Sequence, residues 1–159
     1  MAFPDAAAWY ESLATVYGTA AALITSPDGE ILLVKPNYRP GWGLPGGSLE
    51  HGEAPSAGCA REVKEELGLD LPLGPLLLTT WIAPEGDRPR PIVAFLFDGG
   101  VLDSSDLSRI VLQESELDEF RLVPPGSLTR YVRPQMAERL IAALAARSTG
   151  APAYAEEAG

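Results

Sequence analysis

GSLEHGEAPSAGCAREVKEELGL, residues 47–69, places a glycine, an isolated glutamate, an Arg-Glu pair and a Glu-Glu pair at fixed offsets. Pro55 suits the first helical position and Gly68 a C-terminal cap, so the spacing predicts a helix over 55–67. On it Glu62, Glu65 and Glu66 stand at i, i+3 and i+4 and share one face. Ala60, Val63 and Leu67 form the expected buried stripe, roughly opposite. Like charges three and four residues apart repel by about 0.2–0.5 kcal/mol per pair on an exposed helix. The cost grows where water is excluded, and a divalent cation compensates it. Hard carboxylate oxygens select Mg²⁺ or Mn²⁺ over Zn²⁺. Gly58 costs the helix about 1 kcal/mol relative to Ala, and either close packing or simple tolerance accounts for it.

Outward from this stretch, residues 19–25 and 30–34 read as strands around the turn signal Ser26-Pro27-Asp28-Gly29, giving a hairpin. Residues 36–41 read as a loop, and Trp42 to Leu44 as a short strand that delivers Gly46 and Gly47. Residues 76–83 and 91–97 are expected strands around the Pro- and charge-rich loop 84–90, and 120–123 a further one. A last helix is expected over 136–146, with Met136, Leu140, Ile141 and Leu144 as its apolar face. A short helix fits within residues 5–14, with Trp9, Leu13 and Val16 on its apolar side. The segment from Ser148 is small, polar and Pro-containing, so 1–147 reads as one domain and 148–159 as a flexible tail. Strands and helices in this order favour an α/β fold whose mixed sheet is covered on both faces.

The composition agrees with one domain: 159 residues, 46% hydrophobic, have room for one core and not two. A formal net charge of −10 argues against nucleic acid or an anionic membrane as the main partner. It leaves an anionic small molecule open, because a bound cation reverses the local field. The lone cysteine, Cys59, excludes an internal disulfide and reads as a buried helix residue, which suits a reducing cytosol. No apolar run spans a bilayer, and Asp5 and Glu11 stand where a signal peptide needs positive charge. A cytoplasmic location is the expectation.

The pattern Gly47, Glu53, Arg61-Glu62, Val63, Lys64, Glu65-Glu66, Leu67, Gly68, Leu69 fills every specified position of a known motif. It resembles the Nudix box, and the approach Trp42-Gly43-Leu44-Pro45-Gly46-Gly47 resembles the run that precedes it. The resemblance implies the Nudix fold, an α/β/α sandwich, and Mg²⁺-dependent hydrolysis of a diphosphate linkage. It assigns Glu62, Glu65 and Glu66 as metal ligands, with Glu62 also a candidate to orient or deprotonate water. It also pairs Arg61 with Glu53 as structural support. Gly46 and Gly47 let backbone approach metal or phosphate closely, and a Gly47 carbonyl ligand fits that role. The family takes one more acid from a late loop, and Glu114, Glu116 and Glu119 stand there, with Glu116 favoured for catalysis. Outside the box, Lys35, Arg39, Arg88 and Arg90 are cations suited to phosphate, and Trp42, Tyr38 and Trp81 are aromatics suited to stacking on a base.

The reaction class follows from the box, whereas substrate choice lives in loops outside it. Pro84, fifteen residues past Leu69, resembles the placement in the ADP-ribose-processing branch of the family. ADP-ribose or a nucleotide sugar is therefore favoured. Nucleoside triphosphate pyrophosphohydrolysis and a non-catalytic nucleotide-binding regulator are the alternatives. An isoprenoid diphosphate isomerase shares the fold but needs a reactive cysteine, for which only Cys59 exists. The family's frequent dimers make a homodimer the expected assembly.

Overall fold

The computed structural model describes residues 5–158, so residues 1–4 of the expected domain and residue 159 of the expected tail lie outside the described residues. In chain order the elements are α1 (Ala6–Glu11), β1 (Tyr17–Thr25), β2 (Ile31–Pro36), β3 (Gly46–Ser48), α2 (Pro55–Leu67), β4 (Leu76–Ile82), β5 (Ile92–Val101), α3 (Ser104–Leu107), β6 (Leu117–Val123), a 3₁₀ turn (Pro125–Arg130), α4 (Pro134–Thr149) and β7 (Ala153–Glu157). The strands form one mixed sheet in the order β6-β2-β1-β5-β4-β7, with β3 added beside β1. β1 with β5 and β4 with β7 are parallel; the other pairings are antiparallel.

Period-two alternation splits the core between the two faces of this sheet. Leu23, Ile31 and Leu33 turn toward α4 and pack with its Ala137, Leu140, Ala143 and Ala146. Their chain neighbours Ala22, Ile24, Leu32 and Val34 turn the other way, onto Cys59, Val63 and Leu67 of α2. The expected α/β/α sandwich is thus the observed architecture, with α2 on one face and α4 on the other. At the end of α4, Arg147 donates to the Leu23 carbonyl at 2.6 Å, to Thr25 Oγ1 at 2.9 Å and to Asp98 Oδ1 at 2.7 Å. Those bonds tie the helix to β1 and β5.

The hairpin expected around residues 26–29 forms, with Gly29 at φ 82° in its turn, but its strands pair directly only at Thr25 and Ile31. They splay because β3 inserts along β1, Ala20 opposite Gly47 and Ala21 opposite Gly46. The expected strand at Trp42 to Leu44 shrinks to one bridge between Gly43 and Val34, and the true short strand begins at Gly46. The expected flexible tail is corrected as well. α4 runs on to Thr149, Gly150 caps it at φ 73°, and residues 153–157 return as an edge strand beside β4. Alternating small and large side chains, Ala153-Tyr154-Ala155-Glu156, suit that edge, although no run of β-branched residues marks it.

Three expected apolar faces are displaced. Ala60 is exposed, and Cys59 takes its place against the sheet. Ile141 is exposed, since α4 packs through its alanines and Leu140, which let the helix lie close to the strands. α1 stops at Glu11 and buries nothing; Trp9, Leu13 and Val16 all face solvent.

Gly58 is resolved in favour of close packing. A Cβ there would lie 2.5 Å from Leu49 Cδ2 and 2.8 Å from Glu53 Oε2. Gly58→Ala should therefore destabilise the protein by about 1–3 kcal/mol through overpacking, against a helix-propensity gain of about 1 kcal/mol. Urea unfolding of the two proteins measures the sign, and a more stable variant would show that the segment around Leu49 yields freely.

Candidate active site

One guanidinium organises the acids. Arg61 donates from Nε to Glu53 Oε1 at 2.8 Å and from Nη2 to Glu53 Oε2 at 3.0 Å, a fork that only Arg makes. The remaining donors reach the Ser48 carbonyl at 3.1 Å, Glu62 Oε1 at 3.0 Å and Glu65 Oε2 at 3.2 Å. Glu53 Oε2 also accepts from the backbone N–H of Glu50 at 2.9 Å. The Arg61 hydrogen bonds, then that backbone donor, hold the Glu53 carboxyl down at about 2. Glu53 keeps Arg61 firmly charged in return. Loop 48–53 is thereby fixed to the second turn of α2.

Beneath this fork the acids meet two glycines. Gly46 donates its N–H to Glu66 Oε2 at 2.9 Å. An added Cβ on Gly47 would fall 2.5 Å from Glu62 Oε1, and one on Gly46 would collide with the Ala20 carbonyl and Ala21. A side chain at Gly46 would push β3 off β1, and one at Gly47 would displace the Glu62 carboxylate. Glu66 is only 5% exposed. Burial pushes its carboxyl up to about 7; the Gly46 N–H opposes this, while Glu62 and Glu116 add to it. Burial also raises Glu62, Arg61 counters it, and Glu65 and Glu116 raise it further.

Glu116 stands in the loop before β6, where its backbone accepts from Asn37 N–H at 2.9 Å and its charge is felt by both Glu62 and Glu66. Glu114 is exposed, and Glu119, on β6, is bound by Arg121 at 2.8 Å. Among the described residues no three His, Cys, Asp or Glu side chains converge closely enough to enclose an ion, and Arg61 engages Glu62 and Glu65. The donor chemistry still fits a hard divalent cation. Glu66 is a buried carboxylate whose ionised form is opposed by desolvation and by Glu62 and Glu116, and a cation beside these oxygens would relieve that opposition.

The glycines also line a cleft of about 980 Å³ that crosses the α4 face of the sheet. Arg39, Trp42, Gly46 and Gly47 from the sequence-derived set lie in its wall, and so does Arg88. Lys35 and Trp81 do not. Lys35 pairs with Asp118 at 3.7 Å on the far side of β2, and Trp81 alternates with the cleft-lining Thr80 and Ile82, so it faces the opposite side. Tyr38 is exposed, and Arg90 lies over the Tyr17 ring. Trp42 packs edge-on against Tyr131, with centroids 5.7 Å apart, and Arg121 covers it at 5.1 Å. Sequence reasoning missed Tyr131, Arg133, Arg139 and Glu157 of the cleft wall, because nothing local marks a helix start or an edge strand as facing a cavity.

Comparison with known proteins follows the same lines. A family model described as the NUDIX domain matches residues 17–144. A MutT-like protein of Streptomyces ambofaciens is 34% identical over 97 residues, covering 58% of this chain and 60% of that protein. An ADP-ribose pyrophosphatase of Methanocaldococcus jannaschii is 36% identical over 90 residues, covering 52% and 53%. The chain thus spans somewhat over half the length of these curated relatives. The crystal structure of a MutT protein from Methanosarcina mazei Go1 superposes with a TM-score of 0.67 at 25% identity, covering 86% of this chain and 99% of that one.

The raised Glu66 carboxyl has a stability consequence. Between about 4.5 and about 7 the native state holds a proton that the unfolded chain has released, so stability falls as pH rises through that window. The metal-free protein should lose on the order of 3 kcal/mol there, and Glu66→Gln should remove most of the slope. Glu53 acts oppositely: its contribution is present above about 4.5 and is lost as pH falls toward about 2. Urea midpoints across pH 3–8 measure both limbs, and an unchanged slope in Glu66→Gln would place the titrating group elsewhere.

Proposed function

Since the chain belongs to the Nudix family, its matched region covering residues 17–144, we propose that it is a Mg²⁺-dependent pyrophosphohydrolase, with Mn²⁺ able to substitute. Its substrate is a nucleoside diphosphate joined to another group, with ADP-ribose or a nucleotide sugar preferred. The observation that carries this reading is the junction at Gly46 and Gly47, where the carboxylates of α2 and the cleft over the sheet meet across two residues without side chains. A bound divalent cation would neutralise phosphate charge and acidify a water. Glu62, Glu65 and Glu66 would hold it, with the Gly47 carbonyl beside them, once Glu65 leaves Arg61.

The chain's own groups supply the rest. Glu116 faces Glu62 and Glu66 from a separate loop, so it can take a proton from water on the side α2 does not reach. Arg39 lines the cleft close enough to Glu66 for its charge to act there, and it suits a phosphate oxygen of the bound diphosphate. Trp42 offers an aromatic wall. The ADP-ribose preference draws support from the name of the Methanocaldococcus jannaschii relative and from Pro84, which lies just past β4 and next to the cleft-lining Glu85. A regulator without turnover would not need the intact acids. Cys59 does not serve an isomerase, since it is fully buried and burial pushes its thiol up to about 12.

EDTA should abolish hydrolysis and Mg²⁺ or Mn²⁺ restore it, and Glu66→Gln should lower kcat by orders of magnitude with the fold intact by circular dichroism. A panel of ADP-ribose, nucleotide sugars and nucleoside triphosphates, scored by product identity, decides the substrate class. Turnover of triphosphates alone, with release of pyrophosphate, would sink the ADP-ribose preference.

The loop acid has its own test. Glu116→Gln should cost roughly 10²–10⁴ in kcat, the usual worth of a positioned base, with KM little changed. Glu114→Gln should cost far less. Equal, small losses in both variants would return the role of base to Glu62.

A further inference from the structure

At the end of the cleft away from the glycines, two charged side chains each bury an atom that makes no hydrogen bond among the described residues. Arg139, on α4, and Glu157, the last residue of β7, both line the cleft, each about one-fifth exposed. Arg139 Nε and Glu157 Oε1 form an ion pair at 2.8 Å, yet the N–H is not aligned on the oxygen, and among the described residues both buried atoms have no hydrogen-bond partner. Buried donors and acceptors in native folds are paired, by protein or by ordered water, and an unpaired one in a cleft wall calls for a partner from the cleft. Here a five-donor guanidinium and a carboxylate sit side by side, held rigidly: Arg139 lies mid-helix, and the Glu157 carbonyl accepts from Ala83 N–H at 2.9 Å.

We propose that Arg139 and Glu157 read the hydrogen-bonding edge of the substrate's nucleobase, so that β7 sets base specificity. The inference rests on the cleft being the substrate cleft of the hydrolase reading above. The chemistry of the pair selects the ligand part. A phosphate would meet the Glu157 carboxylate and be repelled, whereas a nucleobase edge sets an acceptor for Arg139 next to a donor for Glu157. Leu78, Ile82 and Met136 supply the apolar walls that a flat ring requires. Span agrees as well. From β3 the sheet runs through β1, β5 and β4 to β7, four strand spacings or roughly 19 Å. A diphosphate at the glycines cannot cover that distance, while diphosphate, ribose and base laid end to end run along it.

The test compares wild type with Glu157→Gln, which keeps shape and loses the charge and one acceptor. Glu156→Gln is the control, since Glu156 faces the other side of β7 and accepts from Tyr154 Oη at 2.9 Å. Calorimetric binding of AMP, GMP, CMP and UMP in EDTA should show a preferred base in the wild type. Glu157→Gln should weaken that nucleotide by about 10–100-fold, the worth of a hydrogen bond to a charged group, and the others by less, with Glu156→Gln unchanged. With Mg²⁺ present, the loss on the corresponding diphosphate substrate should sit in KM rather than kcat. A variant that loses thermal stability while keeping its base discrimination would make the pair a staple between α4 and β7 and overturn the inference, as would a wild type without base preference. If the monophosphates bind selectively but no diphosphate is hydrolysed, the hydrolase reading falls and the base-reading pair stands.

Discussion

The Arg61 guanidinium is the constraint on which the site depends. Five directed contacts from one planar group fix the loop after β3, the isolated Glu53 and two acids of α2 in a single geometry. Lysine, with a compact ammonium and no planar fork, could not grip Glu53 in two parallel bonds while reaching the other partners. Through this fork the loop cannot move without the helix, and Gly58 must stay small because the Glu53 carboxylate it touches is not free to swing away.

Behind the fork lies a conflict between burial and charge. Glu66 is enclosed, and among the described residues its carboxylate accepts only from the Gly46 N–H, so its ionised form is held against desolvation and against Glu62 and Glu116. Such a cluster costs stability at neutral pH, a cost that a cation beside these oxygens would offset. The sandwich carries that cost: α2 packs through Cys59, Val63 and Leu67, and the opposite layer is locked by Arg147 to β1 and β5.

The two faces of the sheet divide the labour. α2 brings the acids from one side, while the cleft lies on the other, between the strands and the start of α4. β3 joins the two halves, and the direct β1–β2 pairing gives way to make room for it. That is why the hairpin between them splays.

Much of this was legible in residues 47–69, because a helix with Pro at its start and Gly at its end is a local object. Its i, i+3, i+4 acids, its Arg-Glu register and the alternating strands around it needed no distant partner to be read, and they led to the α/β sandwich and the family. What the sequence could not determine were relations between segments far apart in the chain. Lys35 and Trp81 were chosen for their chemistry; the pleat of the sheet turned Trp81 away from the cleft, and Lys35, paired with Asp118 of the neighbouring β6, lies outside the cleft wall. Glu157, in a segment read as a tail, came to line the cleft because β4 offered an open edge to pair with. Which acid of loop 112–120 faces α2 was likewise decided by the pairing of β6 with β2. Local pattern carries secondary structure and motif; which side chains share a cavity depends on strand order and packing, and only the tertiary structure supplied those.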